Sequence, residues 1–441
     1  MDYMKGDNME YCNLVFKLYL KNGKAYIDSE DLSTECEAVD ICEKLEDEGF
    51  DEVMIFNLAN SREEHELNIH IVKEVIEGTD IRVLLGGDIH DIDDVKRYLY
   101  SGAKIVILDA DVQNNRELIS ESCVKFGADK VAVMYNEDAK GDTMADVARD
   151  VFELGAGLLI TNNKISKELA KSFGEINTDV LLTNDEIEFD DVVEYSKYTD
   201  LYGISSKALI KNIEDVMYVK NQLKKAGVRV NSFESKINFS DFKLNEQGLI
   251  PVVVQEYKTG QVLMVAYMNE ESFNETIRTG KMTYYSRSRQ SLWLKGETSG
   301  HFQFVKSLKV DCDKDTILAK VKQIGVACHT GSYSCFFNEL VQKEYDDKNP
   351  LNTFKDVYDV ILDRKNNPKE TSYTNELLNK GTDNILKKLG EESADIVIAT
   401  KNGNKDETVY QIADYMYHLM VLMADRDISW EDVTRELIRR R

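Results

Sequence analysis

The stretch DCDKDTILAKVKQIGVACHTGSYSC spans residues 311–335 of the 441-residue chain. It contains three of the seven cysteines, Cys312, Cys328 and Cys335. Three thiolates that converge on one point suit Zn²⁺ and leave its fourth position open for water. Their spacing differs from the CxxC pairs of a structural zinc ribbon. The stretch therefore favours a zinc site over three free cysteines in a reduced interior.

The same stretch begins with three aspartates at alternate positions, Asp311, Asp313 and Asp315. Alternate residues of a strand lie on one face, so a strand here would point the three carboxylates one way and Cys312 the other. Carboxylate oxygens are ligands that Mg²⁺ prefers. The pattern predicts a magnesium site, and the alternative is a solvated acidic edge.

The composition is that of a globular protein with room for roughly two to four domains. The chain carries 55 Lys and Arg against 80 Asp and Glu, and its net charge of −25 argues against non-specific binding to nucleic acid. No apolar run approaches the ~20 residues that span a bilayer, and the start does not resemble a signal peptide. An odd number of cysteines without a disulfide framework fits a reducing compartment. We therefore expect a cytoplasmic protein that is not bound to a membrane.

In residues 1–231, short β-like runs alternate with amphipathic helical stretches such as 35–48 and 92–101. Eight β-α units of this length predict a TIM-like (β/α)8 barrel, whose active site would lie at the C-terminal ends of the strands. A doubly wound open sheet is the competing fold. The eight runs are 14–20, 53–57, 82–86, 105–108, 131–135, 158–161, 180–183 and 201–204.

Three motifs of this segment are DEVMIFNL (51–58), DIRVLLGGDIHDIDDVKRYLYSGAKIVIL (80–108) and LKKAGVRV (223–230). They resemble two barrels of histidine biosynthesis, the ProFAR isomerase and the imidazole glycerol phosphate synthase cyclase. Those barrels use one aspartate on strand 1 and another at the end of strand 5, where this chain has Tyr19 and Tyr135. Tyrosine, with an ordinary pKa near ~10, does not readily replace a carboxylate in acid–base catalysis near neutrality.

The glycine-rich loops that bind phosphate in those barrels are also altered. Gly86 and Gly87 are present, but Asp88 stands where a third glycine is expected. Asp109 occupies the second loop, and TNDE at 183–186 replaces a glycine pair. Carboxylates beside a phosphate repel it. We expect a degenerate barrel that is a catalytically inactive scaffold, able to contact other enzymes of the pathway; a barrel of some other active family is the alternative.

A second domain is predicted over 232–345, where the β-α rhythm ends and strand-like runs, a Thr259-Gly260 turn, a short helix and a strand meander indicate an α+β fold. The motifs VLMVAYMN, YYSRSRQSLWLKGETSGH, VDCDKD and CHTGSYSC follow in this order and closely resemble phosphoribosyl-AMP cyclohydrolase. In that family the site is completed across a homodimer. The resemblance implies Zn²⁺ on Cys312, Cys328 and Cys335, and Mg²⁺ on Asp311, Asp313 and Asp315.

The implied reaction opens the adenine ring of phosphoribosyl-AMP, and zinc-bound water, which ionises near pH ~7, would supply the attacking hydroxide. We expect His329 to act as general base or proton shuttle, because imidazole titrates near neutrality; alternatively it only orients neighbouring groups. Arginine forks fit phosphate, and an indole ring offers a face for the base. The expected substrate-binding residues are Arg287, Arg289, Trp293, Lys295, Ser299 and His301. Taken alone, the SRSR segment could also be a solvated edge strand.

Beyond a polar linker, residues 350–441 are predicted to be helical. Clustered acids on two neighbouring helices repel each other unless a cation such as Mg²⁺ shares the site, although acids on helices are usually a solvated face. RKNNPKETSYT, KKLGEESAD and IADYMYHLMVLM resemble phosphoribosyl-ATP pyrophosphohydrolase, an all-α fold of the MazG type. The catalytic Mg²⁺ ligands implied by this resemblance are Glu391, Glu392, Asp395 and Asp414.

Two departures from that family's pattern reduce the expected metal affinity. Gln411 supplies a neutral oxygen where the family has an acid, and Asp395 replaces a longer glutamate. Activity is still expected. A stripe of apolar residues on the same helix as Asp414 is expected to pack in the core: Val409, Ile412, Ala413, Met416, Leu419, Met420 and Met423.

Together these patterns predict a bifunctional hydrolase of histidine biosynthesis. The helical domain would convert phosphoribosyl-ATP to phosphoribosyl-AMP and pyrophosphate, and the α+β domain would open the ring to give ProFAR. The chain would form a homodimer through these two domains. Two alternatives stay open: a zinc-stabilised assembly protein with residual catalytic domains, and a MazG-like pyrophosphatase that acts on other nucleotides.

Overall fold

The structure is a computed structural model that describes residues 11–110, 115–135, 144–176, 179–199, 201–341 and 350–439. The chain divides into two compact units, Met1–Asn338 and Glu339–Arg441. Among the described helices, none is both long and apolar enough to cross a membrane.

Strands and helices alternate along the first part of the first unit. The strands are β1 (Asn13–Lys21), β2 (Lys24–Tyr26), β3 (Glu35–Cys36), β4 (Glu52–Asn57), β5 (Arg82–Gly86), β6 (Ile105–Asp109), β7 (Val131–Tyr135), β8 (Leu158–Thr161), β9 (Asp179–Leu182) and β10 (Leu201–Ile204). The helices are α1 (Ala38–Glu48), α2 (Arg62–Gly78), α3 (Ile92–Tyr100), α4 (Asn115–Phe126), α5 (Met144–Glu153), α6 (Lys167–Ile176), α7 (Phe189–Tyr195) and α8 (Val216–Lys225).

Strands β1 and β4–β10 form a closed parallel barrel, as the repeat of eight units predicts. Each strand pairs with the next along the chain, and β10 pairs back onto β1. Gly203 makes this closure possible, because a Cβ there would lie 2.7 Å from the carbonyl oxygen of Asn13. The competing doubly wound fold is wrong, since an open sheet would leave these two strands unpaired.

The barrel has two apolar layers. One cluster contains only strand residues, such as Met54 and Leu84, and fills the barrel interior. The other joins strand residues to the surrounding helices. The helix predicted over 35–48 begins only at Ala38, because Glu35 and Cys36 pair with β2 as the short strand β3.

The second part of the first unit is an α+β fold, as predicted. Its elements are β11 (Ile250–Glu256), β12 (Val262–Met268), α9 (Glu270–Thr279), β13 (Thr283–Ser286), β14 (Ser291–Leu294), β15 (Gln303–Val310) and β16 (Ile317–Gln323). Four strands form one sheet in the order β12-β11-β16-β15, in which β11 and β16 are parallel. The expected simple meander is wrong, because β13 and β14 pair only with each other as a separate hairpin.

The second unit is helical, with α10 (Pro350–Asn366), α11 (Tyr373–Lys380), α12 (Thr382–Lys401), α13 (Lys405–Asp425) and α14 (Trp430–Arg439). The predicted core stripe on α13 is only partly buried. Met420 and Met423 are 3% exposed, but Val409 is 57% exposed and Ile412 45%. The core is built from α10, α11, the start of α12 and the end of α13. The start of α13 and the end of α12 lie beyond it.

A buried ion pair connects α8, the last helix of the barrel, to the segment that precedes β4. Lys220 of α8 donates to Asp51 at 2.7 Å, and both side chains are 2% exposed. The other carboxylate oxygen of Asp51 accepts the backbone N–H of Leu14 at 2.8 Å. Removing one partner of such a pair leaves an uncompensated charge in the interior.

We therefore expect Lys220→Met to lower the free energy of unfolding by about 3–5 kcal/mol, measured by urea unfolding of the full chain. Lys224→Met, on the same helix but half exposed in its ion pair with Glu234, should change it by at most about 1 kcal/mol. Equal effects of the two substitutions would contradict a special role for the buried pair.

Candidate functional site

The three aspartates 311, 313 and 315 lie in the turn between β15 and β16, and a ligand oxygen of each lies within 4.8 Å of the others. Their convergence was expected from a strand, but the structure achieves it with a tight turn. Asp311 Oδ1 accepts the backbone N–H groups of Asp315 at 3.0 Å and Thr316 at 3.3 Å. Lys314 adopts a left-handed conformation with φ of 64°. The turn folds back, so all three carboxylates share one exposed side.

The donor set of this turn fits a hard divalent cation. Desolvation would raise the pKa of Asp311, but the two backbone donors outweigh it and hold that pKa below its ordinary value. Lys243 lies 3.7 Å from Asp313 and offsets part of the negative charge. Three convergent carboxylates with one weak cationic neighbour match the oxygen ligands of Mg²⁺.

Cys328 and Cys335 lie together at the opposite edge of the sheet, beside β12. The hydroxyl of Thr330 lies 3.1 Å from the sulfur of Cys328 and lowers the pKa of that thiol. Burial, and then the neighbouring Cys328, raise the pKa of Cys335. The backbone N–H of Cys335 donates to the carbonyl of Leu263 on β12 at 2.7 Å, which fixes this loop on the edge strand. One low-pKa thiol next to a second thiol is a suitable half of a zinc site.

Cys312 is not part of this pair. It is exposed in the turn after β15, which is the other outer strand of the same sheet. Four strands at a spacing of about 4.8 Å separate the two edges by roughly 14 Å. Among the described residues, the three cysteines accordingly do not form a group within metal-ligand distance. One chain therefore supplies two thiols at one edge and one thiol at the other.

The expected substrate-binding residues lie on and after the β13–β14 hairpin. The guanidinium of Arg287 lies 3.9 Å from the centre of the Tyr267 ring, and that of Arg289 lies 5.7 Å from Trp293. Both arginines are exposed, so their charged groups are open to a ligand. The hairpin thus presents two cations that are held against aromatic faces.

Lys295 and His301 connect this hairpin with the cysteine pair. Lys295 is 5% exposed, burial lowers its pKa, and its ammonium lies near both Cys328 and Cys335. It reaches the carbonyl of His301 at 3.4 Å, and Ser299 accepts the backbone N–H of His301. His329, the expected proton carrier, is exposed next to Cys328.

Sequence reasoning missed two groups that shape the cysteine loop. Thr330 was quoted within CHTGSYSC, but its hydroxyl contact with Cys328 was not foreseen. The hydroxyl of Tyr333 donates to Glu256 of β11 at 3.0 Å, and Glu256 is buried. A buried glutamate at a strand end carries no local sequence signal, so only the fold could reveal it.

The predicted acids of the helical unit are brought together only in part. Glu392 is largely buried and lies 4.0 Å from the ring of His418, whose Nδ1 contacts the carbonyl of Asp414 at 2.9 Å. Glu391 is half exposed and pairs with Lys388, which lowers its pKa. Asp395 is half-buried one turn along α12. Within the described part of the chain, these acids do not reach metal-ligand distance as a group of three.

His418 is the residue that sequence reasoning did not single out in this unit. It is 4% exposed, and its Nε2 contacts the hydroxyl of Tyr373 at 3.2 Å. It therefore links α11 and α13 beside Glu392. Its position in the quoted motif IADYMYHLMVLM was visible, but its burial was not.

The C-terminal end of the barrel is filled by the chain's own side chains. Tyr19 stacks on Phe56 with ring centres 5.7 Å apart, and burial raises the pKa of Tyr19. Asp88, at a φ of 48°, contacts the Nδ1 of His65 at 2.6 Å and the Nε2 of His90 at 2.9 Å. The position of the expected phosphate loop is thus occupied by a carboxylate with two imidazole partners.

Comparisons with known proteins agree with this division of the chain. A family model described as phosphoribosyl-AMP cyclohydrolase matches residues 264–337, and one described as phosphoribosyl-ATP pyrophosphohydrolase matches 354–441. A third, described as histidine biosynthesis protein, matches 18–175. The last match supports the resemblance of the barrel to histidine-pathway barrels.

Two bacterial relatives, each named histidine biosynthesis bifunctional protein HisIE, are matched over most of their length. The protein of Thermoanaerobacter pseudethanolicus is 50% identical over 210 residues, which are 97% of that protein and 44% of this chain. The protein of Lactococcus lactis is 51% identical over 192 residues, or 88% of its length and 44% of this chain. More than half of the present chain therefore has no counterpart in either relative.

The contact between Thr330 and Cys328 predicts a change in thiol reactivity. In chelator-treated protein, Thr330→Val should move the pH dependence of Cys328 alkylation to higher pH, because it removes the hydroxyl that stabilises the thiolate. The rate would be followed by mass spectrometry of the Cys328 peptide. Thr316→Val, in the aspartate turn, is the matched control and should leave the profile unchanged; an unchanged profile in Thr330→Val would refute the assignment.

Proposed function

The chain belongs to the HisIE family of bifunctional histidine-biosynthesis proteins, and we propose that its two hydrolytic steps use metal ions held by the residues described above. It is a phosphoribosyl-ATP pyrophosphohydrolase and a phosphoribosyl-AMP cyclohydrolase. The helical unit carries the first reaction, which releases pyrophosphate. The α+β fold carries the second, which opens the adenine ring to give ProFAR.

The zinc site of the cyclohydrolase is proposed to form between two copies of the chain. The observation that supports it is the separation of the cysteines: Cys328 and Cys335 lie at one sheet edge and Cys312 at the other. A second copy would bring its Cys312 to the pair of the first. Bound zinc would lower the pKa of water and so provide hydroxide near neutrality.

The chain's own side chains would bind the substrate and move the proton. Arg287 and Arg289 offer guanidinium groups for the phosphate, and Trp293 offers a ring face for the base. Lys295 stabilises the thiolates across a short distance in a largely dry environment. His329, exposed beside Cys328, can carry the proton between solvent and the reacting water. The aspartate turn would hold Mg²⁺, which would supply positive charge for the phosphate of the substrate.

In the helical unit we propose that Glu391, Glu392, Asp395 and Asp414 bind Mg²⁺ with the triphosphate. Glu392 lies 4.0 Å from the ring of His418, which is one turn after Asp414 on α13. Glu391 has to leave Lys388 to join the site. Gln411, one turn before Asp414, would add a neutral oxygen. Mg²⁺ bound by these residues would supply positive charge for the phosphate oxygens of the substrate.

The same unit is proposed to dimerise through the end of α12 and the start of α13. The exposed large apolar residues there are Val397, Ile398, Val409, Tyr410 and Ile412. They are not part of the core cluster of the unit, and exposed apolar surface favours association. A second copy would cover it and bury the part of the α13 stripe that is exposed in one chain.

The barrel is proposed to be catalytically inactive. Tyr19 and Tyr135 occupy the two positions at which the resembling barrels have acids, and both side chains are largely buried. Asp88, held by two histidines, would repel a phosphate. If the purified 1–231 segment isomerised ProFAR at an enzymatic rate, this proposal would be wrong.

The overall proposal is tested by product analysis after the full chain receives phosphoribosyl-ATP, Mg²⁺ and Zn²⁺. We expect ProFAR and pyrophosphate. Persistence of phosphoribosyl-ATP, together with turnover of added phosphoribosyl-AMP, would restrict the defect to the helical unit. If neither substrate were turned over, the alternative of a zinc-stabilised assembly protein with residual catalytic domains would be favoured.

The shared zinc site makes a specific prediction about mixed dimers. Cys312→Ser and Cys328→Ser should each abolish ring opening, but mixing the two variants after unfolding and refolding should restore about a quarter of wild-type activity. Half of the random dimers are mixed, and each mixed dimer has one intact site of two.

The matched control mixes Cys328→Ser with Cys335→Ser. Both substitutions lie at the same edge, so no mixed dimer has an intact site and no activity should return. Zinc content, measured on the same samples, should follow activity. No recovery in the first mixture would show that the three cysteines bind zinc within one chain. Recovery in the control mixture would show that the Cys328 and Cys335 of one site come from different chains.

A further inference from the structure

The C-terminal half of barrel helix α1 is strongly acidic and faces three lysines of the α+β fold. Lys281 contacts Glu48 at 2.7 Å, and Lys306 contacts Glu46 at 2.6 Å. Lys322 contacts both Asp47 and Glu43 at 2.8 Å. Four ion pairs therefore join one helix of the barrel to β15, to β16 and to Lys281, two residues after the end of α9.

These pairs are not ordinary surface contacts. The Lys322 and Asp47 side chains are 16% and 7% exposed, and Lys281 and Glu48 are similarly covered. Burial alone would raise the pKa of Glu46, but Lys306 outweighs it and holds that pKa below its ordinary value. Burial raises the pKa of Asp47 to about 6. The raised pKa of Asp47 reflects exclusion of water from this contact, where a charge without its partner is costly.

Aromatic rings lie against two of the three lysines. The ammonium of Lys281 is 5.5 Å from the centre of the Phe302 ring and 5.7 Å from that of Phe304. That of Lys306 is 5.2 Å from Tyr257. Each of these lysines is thus held by a carboxylate from the barrel and a ring from its own fold. The geometry restricts where the charge can lie and makes the surface specific for an acidic partner.

Apolar and backbone contacts extend the junction. Phe233, in the segment between the two folds, packs against both apolar cores. Asn221 of α8 donates to the carbonyl of Arg278 at the end of α9, at 2.9 Å. The junction therefore has an apolar centre with ion pairs along one side, as stable interfaces between domains do.

We propose that the barrel of this chain is a binding module whose partner is the cyclohydrolase sheet, recognised by the acidic helix α1 through Lys281, Lys306 and Lys322. The interaction is a genuine association of two surfaces and does not depend on the covalent linker. It holds β15 and β16, the two strands joined by the aspartate turn. Nothing in the pathway resemblance assigns this role to the barrel.

The test uses the full chain with a protease recognition sequence inserted after Ser235, which is exposed in the connecting segment. After cleavage at low ionic strength, the barrel should co-elute with the rest of the chain in size-exclusion chromatography. Lys322→Glu places a fourth carboxylate among Glu43, Glu46 and Asp47. It should weaken the association of the cleaved pieces at least ~30-fold.

The charge-swapped variant Asp47→Lys with Lys322→Glu restores an opposite pair and should recover most of the binding. Glu121→Lys, an equal charge change on the exposed face of α4, is the control and should leave binding unchanged. If Lys322→Glu fails to fold, Lys322→Gln and a salt titration of the cleaved wild-type protein replace it; added salt should weaken association.

Three results would overturn the proposal. The first is separation of the cleaved wild-type pieces at low salt. The second is a control variant that releases the barrel as strongly as Lys322→Glu does. The third is a charge-swapped variant that is folded by circular dichroism but does not recover binding. None of these readouts depends on enzymatic activity, so the result stands apart from the metal and substrate proposals.

Discussion

The order β12-β11-β16-β15 determines how the cysteines of this chain can meet. Cys335 is bound to β12, and Cys312 follows β15, so the width of the sheet lies between them. No side-chain rotation crosses roughly 14 Å. The motif that dominates the sequence is therefore continuous along the chain but divided in space. If the three thiols form one site, as proposed, a second copy has to supply one of them.

Much of the fold follows from patterns with a simple physical origin. The eight β-α repeats are each an amphipathic helix on a buried strand, and a closed barrel buries all of them. Local detail was harder. Alternation at Asp311, Asp313 and Asp315 is the pattern of a strand, yet a left-handed residue at Lys314 and two backbone hydrogen bonds make a turn there. Both conformations place the three carboxylates together. The predicted grouping is therefore present, although the predicted strand is wrong.

Helix α13 shows a limit of periodicity. An apolar stripe indicates which face of a helix is excluded from water, but it does not indicate which part of the protein covers that face. Met420 and Met423 meet the core of their own unit, whereas Val409 and Ile412, on the same stripe, do not. Buried polar groups are hard to predict for another reason, because a polar residue type gives no sign that the side chain is buried. His418 and Glu256 make their contacts with residues that are distant in sequence, so no local sequence pattern predicts these contacts.

The barrel keeps its fold although residues at its C-terminal end differ from those of the barrels it resembles. A phosphate site requires open backbone N–H groups, and an acid–base site requires carboxylates held near an empty space; neither arrangement stabilises the folded state. Tyr19 instead stacks on Phe56, and the strained Asp88 is compensated by two histidines. Such replacements leave closure of the sheet and the outer helices unaffected. The acidic face of α1 depends only on that closure, and it can therefore bind the neighbouring sheet whether or not the barrel binds a substrate.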